Sequence, residues 1–360
     1  MTTRAETLAR AATLRAGFQA AGAQVVEASV LQPADTLLDL YGEEIRARAY
    51  VTTDALRGEQ MLRPDFTVPV VQMHMAHGAE PARYTYAGEV FRRQEHDPSR
   101  ANEYLQVGYE VFDRTNPAVA DAEVFALIVQ AVGHLGLRAA TGDIGILMAA
   151  VRGLQTTDAR KAALLRHIWR PRRFRSLLDR YAGRVKLSKE RAALIDGRTA
   201  HSDAPLIGKR RLSEIENRIA LLRADAAEPP VSSGEVALLD ALLSVREMLP
   251  FAQQQLKDLA VDMPSIAGAV DRLSMRMDAL AAHGINVDEL PFEASYGRTS
   301  MEYYDGFVFG FYCPKRPDLP PIATGGRYDA LTRRLGDAGS IPAVGGVIRP
   351  DLVTLLEGQQ

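Results

Sequence analysis

The clearest alternation of apolar and polar positions lies between 84 and 113, where two strand-like segments flank a polar stretch. Within 104–112, apolar side chains occupy every other position, and this period of two predicts a strand. Gln106 and Glu110 lie four positions apart, so they share the opposite face. With Arg92 at the end of the first strand, they form a polar floor for a small ligand, or the face of an ordinary solvated hairpin.

The rest of the chain alternates between helical and strand-like periods. The pattern predicts helices at 4–22, 67–77, 117–135, 328–335 and 352–356, and strands at 25–31, 141–148, 292–294, 303–312, 322–324 and 343–348. It also predicts a hairpin from 49–54 and 60–63 and a flexible loop at 92–102, whereas 36–41 is either a helix or apolar interface surface. Between 150 and 285 the composition favours helices, with breaks at 197–205 and 228–234.

This order of elements predicts an α+β fold, an antiparallel sheet flanked by helices, because strands and helices are not strictly interleaved. We divide the chain into a first core part at 1–150, a mostly helical insertion at 151–285 and a second core part at 286–360. At 360 residues, 47% hydrophobic and 24% charged, the composition is that of a globular protein.

Charge and cysteine content narrow the functional classes. The net charge of −2 gives no overall electrostatic attraction for nucleic acid. The single cysteine, Cys313, excludes an internal disulfide and fits a reducing compartment. We find no secretory signal and no apolar run long enough to cross a membrane, so we expect a cytoplasmic protein.

Common cofactor and metal motifs are missing: GxGxxG, the Walker phosphate loop, HExxH and a CxxC pair. We expect no metal and assign His74 and His77 a structural role. Gly325-Gly326 between a strand and a helix permits close backbone approach to a ligand, although a simple turn has the same pattern. The basic segment 166–175, RHIWRPRRFR, is either an anion-binding patch or a solvated helix face with two aromatic anchors.

Five motifs, taken in order, resemble the catalytic core of histidyl-tRNA synthetase. They are LRPDFTVPV at 62–70, YAGEVFRRQ at 86–94, EYLQVGYEVF at 103–112, EYYDGFVFGF at 302–311 and ATGGRYDAL at 323–331. The resemblance implies the class II synthetase fold and a dimer formed through the region around Pro33. It covers about 30–112 and 290–350 well, and the segment between them only in being helical.

The resemblance also implies a histidine pocket made of the following residues: Asp65, Arg92, Gln106, Glu110, Tyr304 and Tyr328. Gln106 and Glu110 match the pair that reads the α-amino group, and Asp65 stands where the family has a glutamate. Tyr304 and Tyr328 match the tyrosines that enclose the imidazole, and Arg92 matches the arginine of the second class II motif, which contacts the ligand carboxylate and the α-phosphate.

Several departures from the synthetase pattern concern the phosphate contacts on which adenylation depends. Thr299 and Leu352 stand where the family has arginines. Arg298 is one position out of register with the first of them, and Arg349 is followed by Pro350, which we expect to disrupt the helix that presents the second. Gln94 replaces an expected acid, although Glu95 is adjacent, and we expect no anticodon-binding domain.

A retained amino-acid pocket without these phosphate contacts is similar to the ATP phosphoribosyltransferase regulatory subunits, the histidyl-synthetase paralogues of histidine biosynthesis. The resemblance implies a non-catalytic subunit without a cofactor. Such a subunit joins a short-form catalytic subunit in a hetero-octamer, activates it and transmits feedback inhibition by histidine, its allosteric ligand. No tRNA or membrane partner is expected. The alternatives are a histidine-adenylating enzyme and a truncated histidyl-tRNA synthetase.

Overall fold

A computed structural model describes residues 3–41, 45–94, 100–198, 207–208, 210–298, 303–336 and 339–359. Its main feature is a sheet of nine strands in the order β1-β5-β6-β12-β11-β10-β7-β9-β8. The strands of this sheet are β1 (Gln24–Val25), β5 (Ala82–Phe91), β6 (Glu103–Phe112), β7 (Arg138–Asp143), β8 (Arg246–Met248), β9 (Pro291–Glu293), β10 (Phe307–Tyr312), β11 (Ala323–Arg327) and β12 (Ala343–Ile348).

The central strands, from β5 to β7 in that order, pair antiparallel throughout, and parallel pairs occur only where β1 meets β5 and β7 meets β9. A second, small antiparallel sheet contains β2 (Leu31–Pro33), β4 (Gly58–Leu62) and β3 (Val51–Asp54) in that order. The predicted α+β fold is therefore confirmed.

Fifteen α-helices lie in the described part of the chain. They are α1 (Arg4–Ala20), α2 (Ala34–Tyr41), α3 (Ile45–Arg48), α4 (Thr67–His77), α5 (Pro117–Val132), α6 (Ile144–Gly153), α7 (Asp158–Arg166), α8 (Pro171–Tyr181), α9 (Lys189–Ile195), α10 (Leu212–Ala227), α11 (Ser233–Ser244), α12 (Leu249–Asp262), α13 (Ala267–Ala282), α14 (Asp329–Leu335) and α15 (Pro350–Glu357). Helices α1 and α11 both begin with a capping box, Thr3 with Glu6 and Ser232 with Glu235.

Helix α5 packs against β12 and α13 and carries a buried ion-pair network. Asp121 pairs with Arg276 at 3.1 Å and Arg327 at 2.7 Å, and Arg276 also reaches Asp143. With the turn that follows it, Pro117–Leu135 is long and apolar enough to cross a membrane. This finding corrects the expectation that no segment of the chain is long and apolar enough to cross a membrane. A buried carboxylate network on one side is typical of a core helix.

The segment 151–285 is mostly helical, as predicted. Arg246–Met248 is an exception, because this strand pairs with β9 and forms one end of the large sheet. Helix α13 packs on α5, beside the sheet. The division of the chain at 150 and 285 stays a prediction.

Several predicted elements require correction. The strand predicted at 141–148 ends at Asp143, because the Asp143 carboxylate caps Gly145 N at 2.8 Å and starts α6. The segment predicted at 25–31 is two short strands in different sheets. The strand predicted at 303–312 begins only at Phe307, since Tyr303 lies in a turn and Tyr304 lies outside any strand. Pro350 begins α15 instead of disrupting it, because proline fits the first helical turn.

Candidate functional site

A small, partly open cavity of about 40 Å³ lies where β6, β11 and β12 face the start of α4. All six residues predicted for the ligand pocket line it, together with residues that the sequence did not single out. The lining is Asp65, Thr67, Arg92, Gln106, Glu110, Tyr303, Tyr304, Thr324, Tyr328, Gly345, Gly346 and Val347. The structure therefore brings the predicted residues together, whereas their individual roles stay predictions.

Glu110 is the centre of the hydrogen bonds in this cavity. Its Oε1 accepts hydrogen bonds from Tyr86 Oη at 2.8 Å and Thr67 Oγ1 at 3.2 Å. Its Oε2 accepts one from Tyr328 Oη at 2.6 Å. Because three hydroxyl groups from α4, β5 and the start of α14 hold one carboxylate, its position is set by three separate elements.

Burial raises the pKa of Glu110 to about 7, although the hydrogen bonds from Tyr328, Tyr86 and Thr67 act in the opposite direction. Asp65 raises it further. A carboxylate with this pKa changes charge near neutral pH, so it is ready to ionise fully when a cation arrives.

Gly345 lies directly across the sheet from Glu110, in the register of β12 with β6. A Cβ atom at Gly345 would lie 1.5 Å from Glu110 Oε2, closer than any real contact. Glycine is therefore required there to leave room for the carboxylate. The glycine pair Gly345-Gly346 in a strand was a signal of close approach that the sequence interpretation did not use.

Two buried acceptor atoms of the cavity have no hydrogen-bond partner among the described residues: Asp65 Oδ2 and Gln106 Oε1. Burial raises the pKa of Asp65, and the charge of Arg92 opposes that effect. Unpaired buried acceptors are costly, so both atoms are suited to accept a hydrogen bond from a water molecule or from a ligand. Three N–H groups of an ammonium would suit a cavity that presents Asp65, Gln106 and Glu110.

Aromatic side chains form one wall of the cavity. Tyr304 is buried against Tyr303, with ring centroids 4.9 Å apart and planes at 71°. Tyr303 also approaches Tyr328 edge-on at 6.1 Å and hydrogen-bonds Thr67. Tyr303 was missed from the sequence, although its place beside Tyr304 in EYYDG was available as a signal.

Arg92 lines both this inner cavity and a larger cleft of about 490 Å³ outside it. Its Nε donates to the carbonyl of Pro64 at 2.7 Å, which fixes the guanidinium at the junction. The cleft contains four further arginines: Arg48, Arg93, Arg100 and Arg349. A ligand in the inner cavity therefore meets carboxylates at one end and positive charge at the other.

The structure places Leu352, which stands where the family has an arginine, and the nearby Arg349 in different surroundings. Leu352 is buried in α15 and contributes no charge. Arg349, just before that helix, lies in the outer cleft, where it stacks over Tyr104 at 4.0 Å and pairs with Asp351 at 3.1 Å. Thr299 and Glu95 lie outside the described residues.

Within the described residues, no group of three His, Cys, Asp or Glu side chains could hold a metal. His74 is buried, stacks on Phe112 at 4.0 Å and contacts Tyr84 Oη at 3.1 Å. Burial lowers the pKa of His74, which favours the neutral form. These contacts are those of a core residue, and the side chain of His77 lies outside the described part.

Known proteins of two kinds are similar to this chain. The family model for histidyl-tRNA synthetase matches residues 2–225 and 209–353. ATP phosphoribosyltransferase regulatory subunits from Brucella ovis and Brucella abortus are each 30% identical to this chain over 96% of both proteins.

Solved structures show the same fold. A Bacillus halodurans structure titled as an ATP phosphoribosyltransferase regulatory subunit/histidyl-tRNA synthetase matches 98% of this chain and 79% of its own, with 20% identity and a TM-score of 0.68. A histidyl-tRNA synthetase from Nostoc matches 98% of this chain and 72% of its own, with 15% identity and a TM-score of 0.64. The chain belongs to the ATP phosphoribosyltransferase regulatory subunit family, whose fold is that of the histidyl-tRNA synthetase core.

Proposed function

We propose that this chain is a non-catalytic regulatory subunit that activates a short-form ATP phosphoribosyltransferase catalytic subunit and inhibits it when histidine is bound. Its relatives are named as regulatory subunits of that enzyme. The observation that carries the histidine part is the pair of buried carboxylates, Asp65 and Glu110, in one small cavity that also presents Arg92.

This charge arrangement fits a free amino acid. The α-ammonium donates to Asp65, Gln106 and Glu110, and the carboxylate pairs with Arg92. The imidazole lies against Tyr303 and Tyr304, where flat aromatic walls suit a flat ring. At about 40 Å³ the inner cavity holds only about three water molecules. A whole histidine therefore extends into the outer cleft or widens the cavity, which makes binding sensitive to the positions of the walls.

Feedback requires that histidine bind with different affinities to the active and inhibited states of the assembly, because a ligand with equal affinity for both shifts neither. The cavity is built from separate elements: β6, β11, β12, the start of α4 and the segment before β10 that carries Tyr304. A small relative movement of these elements changes the histidine contacts, and the binding of histidine favours one arrangement in return.

The proposed assembly is a hetero-octamer with the catalytic subunit, in which copies of this chain pair through the region around Pro33. The small sheet that contains Pro33 exposes two apolar side chains, Leu31 and Val51, and Val30 just before β2 is also exposed. Exposed apolar groups clustered on a short sheet are suited to self-association. Sedimentation or light scattering of the isolated chain tests this dimer.

A second candidate is an enzyme that forms histidyl-adenylate, as an amino-acid-activating enzyme or a truncated synthetase. The arginine-lined outer cleft favours it, since cations next to an amino-acid pocket are suited to phosphate binding. Buried Leu352, in place of a phosphate-binding arginine, argues against it.

One pair of assays separates these functions. Phosphoribosyl transfer by a short-form catalytic subunit is measured alone, with this chain, and with this chain plus histidine. We expect activation by the chain and inhibition by histidine. Histidine-dependent ATP–pyrophosphate exchange is then measured on this chain, and we expect none above background. Robust exchange without effect on the transferase supports the adenylating enzyme instead.

A further inference from the structure

The basic segment 166–175 joins the helical region to the wall of the proposed histidine cavity. Trp169 Nε1 donates a hydrogen bond to the backbone carbonyl of Tyr304 at 3.1 Å. In the opposite direction, Arg298 Nε donates to the carbonyl of Ile168 at 2.8 Å. Both bonds connect the junction between α7 and α8 to the part of the chain that carries the cavity wall.

The second connection is an unusual buried contact. Arg298 is only 5% exposed, and its guanidinium stacks on Phe174 with 4.8 Å to the ring centroid. Among the described residues, no carboxylate pairs with it and its Nη2 has no hydrogen-bond partner. Burial lowers the pKa of Arg298 to about 10. Burial of a guanidinium is costly, and the hydrogen bond to Ile168 and the stacking on Phe174 offset part of that cost.

The other side chains of the junction are firmly packed. Ile168 and Phe174 are fully buried, whereas Arg175 points elsewhere and pairs with Asp240 of α11. Ile168 and Phe174 therefore contact Arg298, whereas Arg175 pairs within the helical region. A displacement of α7 or α8 acts directly on the backbone of Tyr304.

We propose that Trp169 is a positioning residue that couples histidine binding to the helical region 151–285. This inference rests on the proposed function and names how that site is regulated. Histidine moves or tightens the wall at Tyr304, and the Trp169 hydrogen bond passes this change to α7 and α8. By linkage, a partner that binds α7 and α8 and whose affinity histidine changes alters the histidine affinity by the same factor.

Trp169 also reports on this coupling, because it is the only tryptophan in the chain. Histidine is titrated into the wild-type chain, and binding is followed in parallel by calorimetry and by tryptophan fluorescence. We expect the emission to change with histidine concentration and to saturate with the calorimetric Kd. This measurement needs no variant, so it does not depend on the folding of one.

Trp169→Phe keeps an aromatic ring and removes only the N–H donor. We expect its calorimetric histidine Kd to rise about threefold to tenfold, the effect of one neutral hydrogen bond. Arg175→Gln is the matched control, since it breaks an ion pair of the same segment that does not face the cavity wall. We expect its Kd to equal that of the wild type.

The two proposals can fail separately. Calorimetric histidine binding with unchanged fluorescence and an unchanged Kd in Trp169→Phe would overturn the coupling and leave the histidine pocket standing. An equal rise of Kd in Arg175→Gln would also overturn it, because any loosening of the helices would then suffice. An absence of calorimetric binding refutes the pocket itself and the coupling with it.

Discussion

Glu110→Gln separates the charge of the cavity from its shape. The amide has nearly the same size, its oxygen still accepts from Tyr86 and Thr67, and its nitrogen can donate to Tyr328. Burial raises the pKa of Glu110 from its ordinary value of 4.5 to about 7. At 1.36 kcal/mol per pH unit, this difference corresponds to roughly 3 kcal/mol against the ionised form.

The direction in which the free energy of unfolding changes with pH follows from the number of protons that the folded and unfolded chains bind. Between pH 4.5 and 7 the folded chain keeps the Glu110 proton that the unfolded chain has released. The free energy of unfolding therefore falls as the pH rises through this window, and the contribution is lost above about 7. Glu110→Gln has no ionisable group at this position, so its free energy of unfolding lacks this pH-dependent contribution. At pH 8 we expect it to be about 2 kcal/mol more stable than the wild type, after about 1 kcal/mol for the altered hydrogen bond.

Histidine binding changes in the opposite direction. Removal of one partner from a buried charge pair costs about 2–5 kcal/mol, so the Kd for histidine rises at least about 30-fold. Urea unfolding at pH 5 and pH 8, with calorimetry of histidine binding at pH 8, measures both effects. A variant that is less stable at pH 8 and binds histidine normally would refute both the buried charge and its role.

Three further outcomes are expected. Gly345→Ala displaces Glu110, so histidine binding weakens at least about tenfold and the free energy of unfolding falls by about 1–3 kcal/mol. Gly268→Ala is the control: the atom nearest to the added Cβ is 4.0 Å away, so this variant is neutral or stabilising. Arg276→Met leaves Asp143 without its buried partner, and urea unfolding should show a loss of about 3–5 kcal/mol, whereas a loss below about 1 kcal/mol contradicts the network. Near pH 7 histidine binding ionises Glu110 and releases part of a proton, so the calorimetric enthalpy depends on the buffer more strongly in the wild type than in Glu110→Gln.

The central hairpin could be predicted from the sequence because its signals are local. Alternation along 104–112 gives one apolar face and one polar face, which places Gln106 and Glu110 on the same side of β6. Motif order then identified Asp65, Tyr304 and Tyr328, which lie far apart in sequence and line one cavity in the structure.

Other features depend on contacts or positions in the fold that no local sequence pattern predicts. Strand β7 stops at Asp143 because its side chain caps the next helix, and the aliphatic residues that follow suit either a strand or a helix. The sequence predicts that Pro350 disrupts a helix, whereas in the structure Pro350 lies in the first turn of α15. The bond between Trp169 and Tyr304 joins residues 135 positions apart. Tertiary packing alone brings these two residues together.

Inhibition of the reconstituted complex by histidine tests the central claim most directly. A short-form catalytic subunit is assembled with the wild-type chain or with Glu110→Gln, and each histidine titration is expressed relative to the rate of that complex without histidine. The account predicts complete inhibition of the wild-type complex and a half-inhibiting concentration at least about 30-fold higher for Glu110→Gln. Equal sensitivity of the two complexes would contradict it, because histidine would then act outside the cavity that Glu110 organises.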